Sequence, residues 1–181
     1  MIADILIIVD MQNDFIDGSL GSPEAQAIVP RVIEKAKEYK ESGREIFATY
    51  DTHYSSYLMT HEGKYLPVEH CISGSTGWMM QMDLFKAISG AIALEKNGFG
   101  FTDWYDAIPT HKSIEIVGLC TDICVVSNAL MLRSEFPEAD IVVDASCCAG
   151  TTPERHRAAL EVMKSCHIDV INEDNPDERS E

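Results

Sequence analysis

The sequence predicts an α/β fold of three layers, with helices on both sides of a mostly parallel, doubly wound central sheet. Three observations predict it. Strand-length apolar runs alternate with stretches of helical periodicity along the chain. The first run, Asp4 to Val9, is apolar almost throughout rather than at every second residue, as expected for a strand covered on both faces. A length of 181 residues, 45% apolar and 24% charged, suits one globular domain with a full core, expected over residues 1–181.

Asp10 ends the first strand. Ser22, Pro23 and Gly43 then bracket a stretch in which Ala25, Ile28, Val29, Val32, Ile33 and Ala36 recur at helical spacing, so an amphipathic helix is expected there. A second strand is expected from Glu45 to Tyr50, a short helix from Met82 to Ile88 and a third strand from Ala91 to Leu94. Ser113 to Val117 reads as a strand, Asp122 to Leu132 as a helix, and Ile141 to Val143 as a strand. Pro153 to Met163 reads as a helix and Ile168 to Ile171 as the last strand. The segment 51–78 is long for a connection in a compact domain, so it is expected to lie over the site as a binding loop. The acidic tail 172–181 is expected to fray.

A formal net charge of -16 with no cluster of Lys and Arg excludes a grip on nucleic acid or anionic lipid. Met1 to Val9 has neither a basic leader nor a small-residue cleavage site, and no apolar run reaches the length of a membrane span. A cytoplasmic protein is expected, whose six cysteines are reduced and serve packing or chemistry before disulfides.

In a parallel sheet, residues placed just after each strand gather along one edge, where ligands bind. Asp10 follows the first strand, Asp51 and His53 the second, Lys96 the third, and Cys124 lies on the first helical turn after the fourth. An acid, a cation and a thiol thus converge. Thr121 or Asp122 is expected to cap that helix, and the helix terminus with Lys96 to lower the Cys124 pKa. Cys147, Cys148 and Cys166 are read as packing residues, with Cys71 and Cys120 left open. Asp51, His53 and His70 supply a carboxylate and two imidazoles, a set that suits a divalent metal, zinc first, with iron or manganese as alternatives and His61 as a competing ligand. His111, His156 and His167 are expected at the surface.

These residues also carry a resemblance. Ile8-Val9-Asp10-Met11-Gln12-Asn13-Asp14-Phe15, then Asp51-Thr52-His53, His70-Cys71-Ile72, Lys96 and Gly118-Leu119-Cys120-Thr121-Asp122-Ile123-Cys124-Val125 resemble the isochorismatase-like cysteine hydrolases, the nicotinamidase branch above all. The resemblance runs over nearly the whole chain in order. It implies that fold, with Asp10 as general base and later acid, Lys96 as electrostatic partner and Cys124 as nucleophile. It implies Asp51, His53 and His70 as metal ligands. It implies a cis peptide near Leu119-Cys120, with the N–H groups of Cys120 and Cys124 forming an oxyanion hole. Phe15 matches an aromatic that packs on the substrate ring, and Leu119 is placed with it at the substrate. The chain departs from the branch in Tyr65-Leu66-Pro67-Val68-Glu69-His70, where an aromatic, often Trp, commonly comes shortly before the His; Tyr65 is the alternative ring face.

The implied activity is cleavage of a small primary amide through a Cys thioester, nicotinamide to nicotinate and ammonia. The alternative enzyme is a metal-independent hydrolase of an N-carbamoyl or ureido compound. Isochorismate is disfavoured by Cys124, because the vinyl ether is hydrolysed without a cysteine nucleophile. A nucleotide-binding or sensor protein would need a Gly-rich phosphate loop after the first strand, where Asp10 to Phe15 stands instead. The partner expected is a small amide, not nucleic acid or membrane, and homo-oligomerisation stays open.

Overall fold

The computed structural model describes residues 2–108 and 113–173. His111 and most of the acidic tail therefore lie outside the described residues. In chain order the elements are β1 (Ile5–Val9), α1 (Asn13–Ile16), α2 (Pro23–Glu41), β2 (Glu45–Asp51), a 3₁₀ turn (Tyr57–Met59) and α3 (His61–Tyr65). Then follow α4 (Met82–Ala87), β3 (Ile92–Lys96), α5 (Trp104–Ala107), β4 (Ile114–Leu119) and a π-helical turn (Thr121–Val125). The last are α6 (Val126–Glu135), β5 (Ile141–Ala149), α7 (Pro153–Ser165) and β6 (Asp169–Ile171).

The six strands form one sheet in the order β3-β2-β1-β4-β5-β6, and every neighbouring pair is parallel. The chain builds outward from β1 to β3 on one side and from β4 to β6 on the other. The helices that leave the ends of β1 and β4 therefore part to opposite faces and open a cleft there. β1 is buried at all five positions. Its Leu6 and Ile8 enter the core formed with α2, and its Ile5, Ile7 and Val9 the core formed with α5, α6 and α7. The continuous apolar pattern of Asp4 to Val9 is the direct signature of these two covers.

Local chemistry fixes the longer helices. Ser22 accepts from Ala25 N at 3.0 Å and Pro23 occupies the first turn of α2, whose buried face is Ala25, Ile28, Val32, Ala36 and Tyr39. Thr152 and Pro153 start α7 in the same way, Thr152 accepting from Arg155 N at 3.2 Å.

Two expectations need correction. β5 runs to Ala149 rather than Val143, because Asp144 and Ser146, the polar residues that follow the apolar run, are satisfied inside the fold. The helix expected from Asp122 begins as a π-turn without a side-chain cap: Asp122 accepts instead from Thr151 N and Oγ1 at 2.7 and 2.6 Å. A π-turn of this kind is frequent beside functional sites. Just before it, Gly118 has φ 121°, and a Cβ there would meet Val9 O at 2.1 Å, so only glycine lets β4 close against β1 at this point.

Asp144 belongs to a buried network that pins α2 to the sheet. Lys35 Nζ contacts Glu115 and lies 2.9 Å from Asp144 Oδ2, Tyr39 OH donates to Glu115 at 2.5 Å, and Asn172 Nδ2 donates to Asp144 at 3.1 Å. Burial alone would raise the Asp144 pKa, but hydrogen bonds from Lys35 and Ser146 and the Lys35 charge hold it below the usual carboxylate range. Lys35→Met strands two carboxylates and is expected to cost about 3 kcal/mol at pH 7. A carboxylate depressed in the folded state contributes fully above its unfolded pKa and loses that contribution as pH falls through its folded pKa. The gap between wild type and Lys35→Met, read by urea denaturation, should therefore narrow below about pH 4.

Candidate active site

The strand ends deliver what their spacing predicted. Asp10 sits one residue beyond β1 in the left-handed region (φ 46°), a conformation Asp tolerates better than most residues, and this turns its carboxylate out of the strand. Lys96 is the last residue of β3, and its Nζ lies 2.6 Å from Asp10 Oδ2, 3.7 Å from Cys124 Sγ and 3.7 Å from Asp51 Oδ1. One ammonium therefore joins both carboxylates and the thiol. Asp10, Lys96 and Cys124 are all buried, and the Leu119-Cys120 peptide is cis.

Burial raises the Asp10 pKa beyond what the Lys96 charge offsets, which makes it a stronger base than an exposed carboxylate. Burial alone would lower the Lys96 pKa, but Asp10, Cys124 and Asp51 reverse the sign and keep it cationic. The Cys124 thiol, expected to be acidified, is instead pushed well up by burial and by the facing Asp10 carboxylate, with Lys96 opposing. The sequence reading weighed the helix end and the lysine, and gave no weight to desolvation or to the carboxylate. The sulfur has the Lys96 ammonium at 3.7 Å, and that same ammonium holds the Asp10 carboxylate at 2.6 Å.

Beside this trio, ligand atoms of Asp51, His53 and His70 lie within 4.8 Å of one another, all three residues buried. His53 Nε2 is 3.0 Å from Asp51 Oδ2, yet is buried without a hydrogen-bond partner. An orphaned imidazole nitrogen facing a carboxylate and a second imidazole is the arrangement a divalent ion completes, so these residues fit a metal. Burial alone would raise the Asp51 pKa, but the facing His53 and His70 imidazoles and the Lys96 charge hold it well below the usual range. His61 is not in the cluster; its exposed ring packs on Tyr65 at 5.0 Å. Glu62, passed over in the sequence, is there instead, with Oε1 3.8 Å from His53 Nε2 and 3.6 Å from His70 Nε2.

A cavity of about 820 Å³ opens over both groups, lined among others by Phe15, Asp51, His53, His70, Cys120 and Cys124. The segment 51–78 does line the site, through His53, Thr60, Glu62, Tyr65 and His70. The Phe15 ring is 5.5 Å from the His70 ring. Tyr65 lines the mouth with 81% of its surface exposed, so its ring is not a closed wall. Leu119 is corrected: its side chain is fully buried in the core under α2 and is not part of the lining, because the strand residue before the turn faces inward.

Supporting residues were not legible in the sequence. Thr49 Oγ1 donates to Asp10 Oδ1 at 2.6 Å, and the Gln12 amide donates to Asp51 O and Trp78 O and accepts from Asp51 N, each at 2.8 Å. His156, expected at the surface, is half-buried, with Nδ1 2.7 Å from Thr121 Oγ1. All six cysteines are free; Cys147 and Cys148 are buried, and Cys120, on the cavity wall, has its pKa pushed up to about 12 by burial and Asp122. Asp14 accepts from Cys71 N at 2.8 Å and from Ser19 N at 3.3 Å, tying the chain next to His70 to α1. A Cβ on Gly77 would meet that carboxylate at 2.1 Å. Gly77→Ala should expel Asp14, loosen His70, and weaken divalent-metal binding roughly tenfold in a competitive chelator titration.

Among known proteins the chain is 26% identical over 185 residues to the nicotinamidase/pyrazinamidase of Mycobacterium tuberculosis, covering 92% of this chain and 97% of that one. It is 26% identical to the nicotinamidase of Schizosaccharomyces pombe, with 94% of each covered. Its fold matches the crystal structure of pyrazinamidase of Pyrococcus horikoshii in complex with zinc, with TM-score 0.79 and 28% identity over 92% of this chain and 97% of that one. The isochorismatase domain model matches residues 4–174, nearly the whole chain, and the protein therefore belongs to the isochorismatase family.

Proposed function

We propose that the chain hydrolyses a small primary amide, nicotinamide to nicotinate and ammonia, through a covalent thioester on Cys124. That it is an amidohydrolase follows from its family and its nicotinamidase relatives. The observation that supports the finer reading most is the Lys96 ammonium, 2.6 Å from Asp10 and 3.7 Å from Cys124, which lines the cavity.

In this reading the cycle begins with Asp10 taking the Cys124 proton as sulfur attacks the carbonyl carbon, so the thiolate forms only as it is consumed. The N–H groups of Cys120 and Cys124 meet the developing oxyanion, and the fixed Lys96 charge balances the negative charge passing between sulfur and carboxylate. Asp10 then returns the proton to the leaving nitrogen, ammonia departs, and the same carboxylate activates water against the thioester. Thr49 holds Asp10 in one orientation through both half-reactions. Phe15 offers its ring face to an aromatic substrate.

Asp51, His53 and His70 would hold a divalent metal, zinc by the donor set, with Glu62 alongside. When bound, such an ion acts as a Lewis acid that can orient a ring nitrogen or a water. Gln12 serves that site by fixing the backbone on both sides of the Asp51 side chain. After incubation with zinc and desalting, the wild type should carry about one ion per chain by elemental analysis, and His53→Ala almost none. A wild type that retains no metal would favour the metal-independent carbamoyl hydrolase. The substrate is tested by ammonia release from nicotinamide, pyrazinamide and several carbamoyl compounds. Turnover of carbamoyl compounds alone would overturn nicotinamide, and turnover of no primary amide would overturn the substrate class.

A further inference from the structure

Along the edge of the sheet where the strands end, the site has an order: Asp51 at the end of β2, Asp10 after β1, the Cys120 to Cys124 turn after β4, and Gly150, Thr151 and Arg155 after β5. The sulfur thus stands between the metal-binding side and a second wall that the reaction does not use. Arg155 is the only Arg or Lys among the described residues lining the cavity. Asp51 and Glu62 line it too, and the chain carries a net charge of -16, so an anion entering without a local cation would be repelled.

We infer that Arg155 is a specificity-determining residue that pairs with a carboxylate on the amide substrate, at the end away from the reacting carbonyl. This rests on the amidohydrolase reading and widens its substrates from the neutral nicotinamide to amido and ureido acids cleaved by the same nucleophile. The exposed guanidinium is anchored at one nitrogen. Its Nη1 donates to Thr151 Oγ1 at 3.3 Å, and Thr151 is itself held by Asp122 through two bonds of 2.7 and 2.6 Å. Both Asp122 oxygens are turned to Thr151, and the neighbouring Glu154 pairs with Arg157 at 3.8 Å, so neither carboxylate engages Arg155. Its remaining donors form the planar fork that matches a carboxylate. Leu20, Ser22 and Ala25 contribute to the same cavity, whose volume leaves room for a substituent beyond the reacting carboxamide.

The test uses matched pairs, benzamide against 4-carbamoylbenzoate and pentanamide against glutaramate, with ammonia release as readout. In the wild type the acid of each pair should have the higher kcat/KM by about tenfold, carried in KM. Arg155→Gln should bring the ratio near one, and Arg155→Lys should keep part of it. A wild-type ratio at or below one, or a ratio unchanged in Arg155→Gln, overturns the proposal. Calorimetric binding of the same pairs to Cys124→Ala, with and without Arg155→Gln, decides the matter independently of turnover. A binding preference that depends on Arg155 without hydrolysis would sink the thioester reading and keep the subsite. Hydrolysis of the neutral amides with no preference for the acids would do the reverse.

Discussion

Replacing Cys124 by alanine is expected to abolish amide hydrolysis, lowering kcat/KM by about 10⁴-fold or more while the protein stays folded. The expectation follows from covalent catalysis: cavity, oxyanion donors and metal ligands all remain, and only the atom that forms the new bond is lost. The side chain is buried, so the cavity left by one sulfur should cost about 1 kcal/mol, too little to unfold a domain of this size. Ammonia release measures the first claim and urea denaturation the second. Rapid acid quench with intact-mass measurement should show an acyl adduct on the wild type and none on Cys124→Ala. Hydrolysis retained by the variant would remove the thioester from the mechanism.

Asp10→Asn has the second-largest expected effect, and it separates two properties of the sulfur. Turnover should fall by about 10⁴-fold, because no base remains to take the proton or return it to nitrogen. Alkylation of Cys124 by iodoacetamide should change in the opposite direction. After burial, the facing Asp10 charge is the largest influence holding the thiol pKa up, and Lys96 opposes it. With Asp10 neutral, Lys96 is left to favour the thiolate, so alkylation near pH 8 should be several-fold faster than in the wild type. Lys96→Met should slow it. Equal loss of hydrolysis and alkylation in Asp10→Asn would mean that the carboxylate matters for shape rather than for proton transfer.

Much of this site was legible because a parallel sheet imposes its own geometry. Once β1, β2, β3 and β4 are recognised as strands of one sense, Asp10, Asp51, Lys96 and Cys124 fall on one edge whatever lies between them. His53 and His70 followed from ligand chemistry and from the resemblance. Glu62 did not, since its place depends on how α3 folds back within 51–78, and an acid in a polar loop carries no signal of its own. Thr49 and Gln12 stayed hidden for a different reason. Both read as ordinary polar residues at a strand or loop, and only burial turns their hydrogen bonds into constraints on Asp10 and Asp51. The end of β5 was missed because Asp144 looks like a boundary until Lys35, 109 residues earlier in the sequence, is seen to neutralise it.

The central place of β1 also has a consequence for how the molecule is made. Ile5 pairs with Glu45 on one side and with Ile114 on the other. A nascent chain emerging from the ribosome therefore holds its most apolar strand half-partnered until β4 has been synthesised, and only then can the middle of the sheet close. Assembly dominated by such distant pairings is slow and leaves sticky intermediates, which chaperones would be called upon to shield. Asp10, Asp51 and Lys96 are all translated before Cys124, so the sulfur joins an otherwise prepared set of charges last.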